Sequence, residues 1–238
     1  MNAIWAAAGA AVGLLAGAAI RSTVFRLSVA NGDPQRTSCP HCTAPTSRRL
    51  AVRCGECGRS LGTPLTLELC TAAVLALVLG RFGGQSDVLA FAFLGVLGVA
   101  LAAIDIAVKR LPDLLTLPAY PIFIALLAVA AIASHDGAAL VRALLGGLAL
   151  GGTYLILALL RPGQLGGGDI KLAGLAGLAL AWLGWPTLIV GAFLGFALSA
   201  LVSLALLAAR RVTLHSAISF GPFLLGGALL AMLGGHGT

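Results

Sequence analysis

Apolar runs long enough to cross a lipid bilayer recur along this whole chain, separated by short breaks that hold its charges. A helix needs about 20 apolar residues to span the hydrocarbon core. Open sheet edges would leave amides unpaired there, so the runs are read as helices. Composition agrees: of 238 residues 59% are hydrophobic and only 10% charged, with mean hydropathy +1.03. A soluble globular domain is excluded, and an all-α, polytopic bundle of about eight transmembrane helices is expected. The 32 glycines suit close helix packing in lipid. Net charge +7 and a pI near 9.8 do not point to nucleic acid, because the cations sit in the breaks, where orientation in the membrane accounts for them.

The expected spans are roughly 3–20, 65–80, 88–106, 114–133, 138–160, 172–185, 187–208 and 217–234, the second and sixth being the shortest. Gly184, Trp185 and Pro186 supply a turn between the sixth and seventh, with Trp182 and Trp185 as interfacial anchors. Eight crossings put both termini on one side. With the termini outside, the cytoplasmic segments 21–64, 107–113, 161–171 and 209–216 hold thirteen of the 15 basic residues, leaving Arg81 and Arg142 outside. The positive-inside bias selects this orientation. Residues 1–20 lack a basic leader and precede the first cation, Arg21, so they read as a retained anchor.

Cys39-Pro40-His41-Cys42 and Cys54-Gly55-Glu56-Cys57 form two CxxC pairs separated by eleven residues inside segment 21–64. Two such knuckles can close a tetrahedron of thiolates about Zn²⁺. The reducing cytosol disfavours disulfides, and redox catalysis needs only one such pair. Structural zinc bound by Cys39, Cys42, Cys54 and Cys57 is the expectation, because a polar segment of this kind needs metal to fold. Cys70 reads as a packing residue of the second span and His41 as a bystander.

Carboxylates in or beside spans are costly and each needs a reason. Glu68, Asp105, Asp113 and Asp169 qualify. Asp113 follows Pro112 and can be an N-cap of the fourth span; Asp169 can likewise cap the sixth, Lys171 can snorkel, and Glu68 can pair with an arginine of the cytoplasmic segment. Asp105 ends the third span, where the helix dipole disfavours an anion, so capping does not explain it. Asp105 and Asp169 fall at the same predicted depth on the cytoplasmic side. Two facing carboxylates can act as base for water and acid for a leaving group. The residues alone leave open a carboxylate enzyme or an ion- or proton-coupled transporter.

Ile104-Asp105 followed by Leu111-Pro112-Asp113-Leu114-Leu115-Thr116-Leu117-Pro118 resembles a signature of bacterial type IV prepilin peptidases. Gly166-Gly167-Gly168-Asp169-Ile170-Lys171-Leu172 is similar to their G-x-G-D-x-K-L motif, and Ser219-Phe220-Gly221-Pro222-Phe223-Leu224 to their terminal motif. With the tetracysteine loop, the resemblance covers nearly the whole chain. It implies a GxGD-type aspartyl endopeptidase of the bacterial cytoplasmic membrane. Such an enzyme cuts the basic leader from type IV pilin-like precursors at the cytoplasmic face. Asp105 and Asp169 would be the catalytic pair, and Gly166, Gly168, Lys171 and Asp113 motif residues. Members with the tetracysteine loop usually also methylate the new amino terminus with S-adenosylmethionine, for which Glu68 is the candidate helper. This chain departs there: its CxxC linker is short, and Glu68 lies one residue beyond the family's usual glutamate.

The expected organisation is a 1–20 anchor, a 21–64 zinc loop, a 65–87 second helix with its outer loop, and an 88–238 six-helix peptidase core. A transport path would stagger its carboxylates through the bilayer, whereas Asp105, Asp113 and Asp169 are all expected at one face. Intramembrane proteases of the presenilin type share GxGD, but none of the ten prolines begins their Pro-Ala-Leu motif.

Overall fold

A computed structural model of the chain describes residues 2–30, 33–45, 54–60, 65–160, 166–210 and 219–235. Among these residues the architecture is all-helical: α1 (Ala3–Leu27), α2 (Thr66–Phe82), α3 (Val88–Val108), α4 (Asp113–Ser134), α5 (Gly137–Leu160), α6 (Gly167–Leu183), α7 (Trp185–Ala208) and α8 (Gly221–Gly234). Helices α1, α3, α4, α5 and α7 are each long and apolar enough to cross a membrane. Helices α2 and α6 have 17 residues each, and α8 has 14. At 1.5 Å per residue, 17 residues reach about 26 Å, the short end of what spans a bilayer. The chain divides into two compact units, Met1–Pro112 and Asp113–Thr238.

In the first unit α1 lies along α2, and both contact α3. Gly9, Gly13 and Gly17 recur every four residues and so share one face of α1. That face meets α2 backbone: a Cβ on Gly13 would lie 2.5 Å from the Cα of Ala72, and one on Gly17 2.5 Å from the Cα of Glu68. Asn2 caps α1 by accepting from the Ile4 N–H (3.1 Å), and its own N–H donates to the Gly80 carbonyl at the end of α2 (2.9 Å). Phe82 of α2 stacks on Phe91 of α3, with centroids 4.4 Å apart.

Helix α1 runs seven residues past the expected end at residue 20. Arg21, the first cation after the expected span, is buried and ion-paired with Glu68 of α2. A charge with a buried partner need not leave the helix.

The second unit is organised around α6, whose residues Leu172 to Trp182 are all buried and which contacts α4, α5, α7 and α8. This placement explains its weak signal as a span: a helix surrounded by other helices can be short and rich in glycine and alanine. A Cβ on Gly177 would lie 3.0 Å from the Cα of Gly147 in α5, and one on Gly227 of α8 2.7 Å from the Cα of Gly195 in α7. Arg142 of α5 reaches the end of α6, its Nε donating to the Ala181 carbonyl (2.7 Å) and its NH2 to that of Trp182 (2.6 Å). A cation on the last carbonyls of a helix satisfies orphaned acceptors and complements the dipole.

Gly184, at φ +142°, makes the turn alone; Trp185 and Pro186 already belong to the first turn of α7. Trp182 is buried, leaving Trp185 as the exposed member of the expected anchor pair. Helix α6 starts at Gly167 rather than 172, so Asp169 lies inside its first turn. Helix α8 starts at Gly221; the expected start at 217 lies outside the described residues.

Gly13→Ala is expected to destabilise the protein by about 1–3 kcal/mol, because the added methyl must push α2 away. Gly152→Ala, where a Cβ meets nothing within 4 Å, should be neutral or stabilising. Thermal unfolding of the two variants in the same detergent compares them directly.

Candidate functional site

The four cysteines of the CxxC pairs come together, their sulfurs all within 4.8 Å of one another. Two hydrogen-bonded turns of the same design achieve this. In the first, the Thr43 N–H donates to the Cys39 carbonyl (3.0 Å) and the Cys39 N–H to that of Ala44 (2.8 Å). In the second, the Gly58 N–H donates to the Cys54 carbonyl (3.0 Å) and the Cys54 N–H to that of Arg59 (2.8 Å). The turns need a left-handed residue four positions after the leading cysteine, filled by Thr43 (φ 58°) and Gly58 (φ 67°). Phe25, near the end of α1, packs against Cys39 and Cys54, so the cluster is seated on the first helix.

The thiols are electrostatically unequal. Backbone N–H groups of Cys57 and Glu56 draw the Cys54 thiol down to about 6. The Ala44 backbone N–H pulls Cys42 down, but the neighbouring Cys54 and Cys57 thiols and burial outweigh it and push Cys42 up to about 12. A bound cation would favour the thiolate of Cys42 as well. The set can hold a metal ion. Cys70 lies apart on α2, outside this cluster.

Glu68, in the first turn of α2, is buried against Arg21. Its Oε1 takes the arginine; its Oε2 has no hydrogen-bond partner among the described residues. Arg21 also lines a cavity of about 570 Å³, bounded by Phe25, Arg36, Leu67, Cys70 and Ala103. Arg36 lies 5.3 Å over the Phe25 ring. The sequence pointed to an arginine of segment 21–64 as partner for Glu68; the partner is Arg21, the first residue of that segment, which the structure places within α1. Asp105 is in the last turn of α3, 5% exposed, and its carbonyl accepts from the Lys109 N–H (2.7 Å) where the helix ends in a left-handed residue.

In the second unit, Asp169 is the third residue of α6 and half-buried. Its Oδ2 accepts from the Gly166 N–H (3.3 Å), while its own N–H donates to the Gly166 carbonyl (3.0 Å). The amide end of a helix favours a carboxylate placed there. Gly166 and Gly167 are exposed, so backbone beside Asp169 is open to an approaching chain. Lys171 does not turn to Asp169: its Nζ donates to Asp113 Oδ1 at the start of α4 (2.6 Å). Tyr120, which sequence reasoning did not single out, donates its hydroxyl to the Lys171 carbonyl (2.6 Å). Nothing local in Leu117-Pro118-Ala119-Tyr120-Pro121 marks that contact, since it forms only when α4 meets α6.

These features define a class: a multi-pass helical membrane protein with acidic residues at helix ends and a tetracysteine cluster outside its spans. The profile of the type IV leader peptidase family matches residues 91–208. A "Prepilin leader peptidase/N-methyltransferase" of Burkholderia pseudomallei is 32% identical over 212 residues, 84% of this chain and 67% of that protein. Proteins of the same name from Pseudomonas aeruginosa (30% identical; 84% and 71% covered) and Aeromonas hydrophila (31%; 84% and 72%) are similar to the same extent. No solved structure matches significantly. The chain belongs to the type IV leader peptidase family and is a membrane peptidase, which sets the transporter alternative aside.

Serine in place of Cys39 or Cys54 should reduce the metal content of the purified protein to less than half of wild type, whereas Cys70→Ser should leave it unchanged. Elemental analysis under reducing, chelator-free conditions reads the difference.

Proposed function

We propose that this chain cuts the basic leader from type IV pilin-like precursors at the cytoplasmic face of the membrane, with Asp105 and Asp169 as the catalytic pair and both chain termini outside. The observation that carries the reading is Asp169 in the opening turn of α6, beside the exposed backbone of Gly166 and Gly167, within the stretch the family profile covers. The ionised carboxylate of the pair takes a proton from water as the water oxygen attacks the scissile carbonyl carbon. The protonated carboxyl hydrogen-bonds to the carbonyl oxygen and stabilises the charge forming there. Collapse of the tetrahedral intermediate breaks the C–N bond, the departing amine receives a proton from the pair, and one shared proton remains. The two carboxyls titrate as a unit.

The tetracysteine cluster is read as a structural zinc site. Sulfurs 2.3 Å from a tetrahedral centre are about 3.8 Å apart. Cys39 and Cys57 sulfurs stand 3.8 Å apart, and those of Cys42 and Cys54 3.5 Å, so an all-thiolate zinc site fits with little movement. The ion would fasten the segment after α1 and takes no part in cleavage.

Methylation of the new amino terminus is the second activity proposed. S-adenosylmethionine supplies an electrophilic methyl group. The buried Glu68 Oε2 suits an acceptor for the incoming amine, which must lose its proton before it can attack. Arg36, which lines the same cavity as Arg21, would be the residue to meet a carboxylate of the donor.

Asp105→Asn and Asp169→Asn are each expected to lower leader cleavage at least about a hundredfold while the protein still inserts. Co-expression with a pilin precursor and mass spectrometry of its amino terminus tests this; near-normal cleavage by either variant would remove the mechanism. In the same assay Glu68→Gln should yield cleaved product with its methyl group mostly missing. Wild-type product that is cleaved but unmethylated when S-adenosylmethionine is supplied would make the chain a peptidase only.

A further inference from the structure

Lys171 is held by α4 at two points. Its Nζ donates to Asp113 Oδ1, seven residues before Tyr120 in α4, and its carbonyl accepts from the Tyr120 hydroxyl, each at 2.6 Å. The first contact is largely exposed, and an exposed ion pair contributes little by itself. The second is half-buried and rests on backbone, so it fixes where the helix lies rather than where a flexible side chain points.

The room for it is made by Gly174. A Cβ there would clash with the Tyr120 hydroxyl oxygen and lie 3.2 Å from Cζ and 3.5 Å from Cε1; these three Tyr120 atoms are the nearest it would meet. Gly174 thus differs from Gly177, where a Cβ would meet α5 backbone. Its lack of a side chain serves the tyrosine.

We infer that Tyr120, docked against Gly174 and bonded to the Lys171 carbonyl, is a positioning residue that fixes the first turns of α6 and with them the aim of the Asp169 carboxylate. This rests on the assignment of Asp169 to catalysis made above. Lys171 is two residues from Asp169, about 3 Å along the axis, and a helix is stiff over that distance. The other side of this turn, at Gly166 and Gly167, is exposed, and there the Gly166 N–H and carbonyl both bond to Asp169. The α4 contacts restrain the turn from its other side and so limit how far Asp169 can move. Misplacing a reacting group by about 1 Å can cost on the order of a hundredfold in rate.

The test compares Tyr120→Phe, Gly174→Ala and the double variant in the full chain, measuring cleavage kinetics and amide hydrogen exchange over residues 167–175. Tyr120→Phe keeps the ring and loses only the hydroxyl. It should lower kcat about tenfold with KM within about twofold, and speed exchange in that stretch without lowering the unfolding temperature of the whole protein. Gly174→Ala should do at least as much harm by expelling the hydroxyl. The double variant should lose less than the product of the two single losses, because the hydroxyl that the alanine displaces is already gone. A Tyr120→Phe chain with wild-type kcat would overturn the inference, as would losses from the two substitutions that simply multiply. A wild-type chain that cleaves no precursor sinks the peptidase reading instead. In that case exchange decides the clamp, and unchanged exchange in Tyr120→Phe overturns it.

Discussion

Everything in this molecule depends on backbones approaching one another closely inside lipid. Lipid tails are as apolar as leucine, so burying leucine against leucine gives little drive for helices to associate. Contact area and dispersion must come from helices that can touch, and glycine is what lets them. The α1–α2, α5–α6 and α7–α8 pairs each have a glycine where a Cβ would fall within 3.0 Å of the partner's backbone. Wherever such a seam forms, polar side chains near it are shut away from solvent. Glu68 is buried because Gly17 lets α1 lie on its Cα, and that burial calls for Arg21 as a partner.

The helices were legible because one property, apolar length, determines them, and their number and order follow from the charged breaks. Their ends were less so. Arg21 was read as the end of a span, although its partner sits 47 residues away and only the packed structure brings it near. Asp169 was placed before a helix that in fact begins two residues earlier, because Gly166-Gly167-Gly168 reads as loop by composition. In the site, the cysteines were legible because metal-ligand spacing is local. The acidic motifs were legible because charges in apolar sequence are rare. Tyr120 was not, since a tyrosine in an apolar run looks the same whether its hydroxyl meets a carbonyl or a lipid headgroup.

Besides setting the direction of the chain in the membrane, two cations hold the fold together. Arg142 closes the carbonyl end of α6, and Arg21 neutralises the carboxylate at the start of α2. Both roles follow from a helix having ends. Orphaned carbonyls near a membrane boundary need donors, and a guanidinium offers several in one plane.

The same reasoning bears on where stiffness can lie in the first turn of α6. On the proposed reading a peptide substrate brings its backbone against Asp169, which calls for a Gly166–Gly167 side that is open and without side chains. Residues that hold this turn must then come from behind it. Asp113 and Tyr120 do, both from α4, and both by way of Lys171. The lysine's charge goes to Asp113, so this residue of the motif ties α6 to α4 two positions away from Asp169. Glycine serves both sides of this turn, at 166 and 167 by leaving backbone exposed and at 174 by leaving space for the Tyr120 hydroxyl.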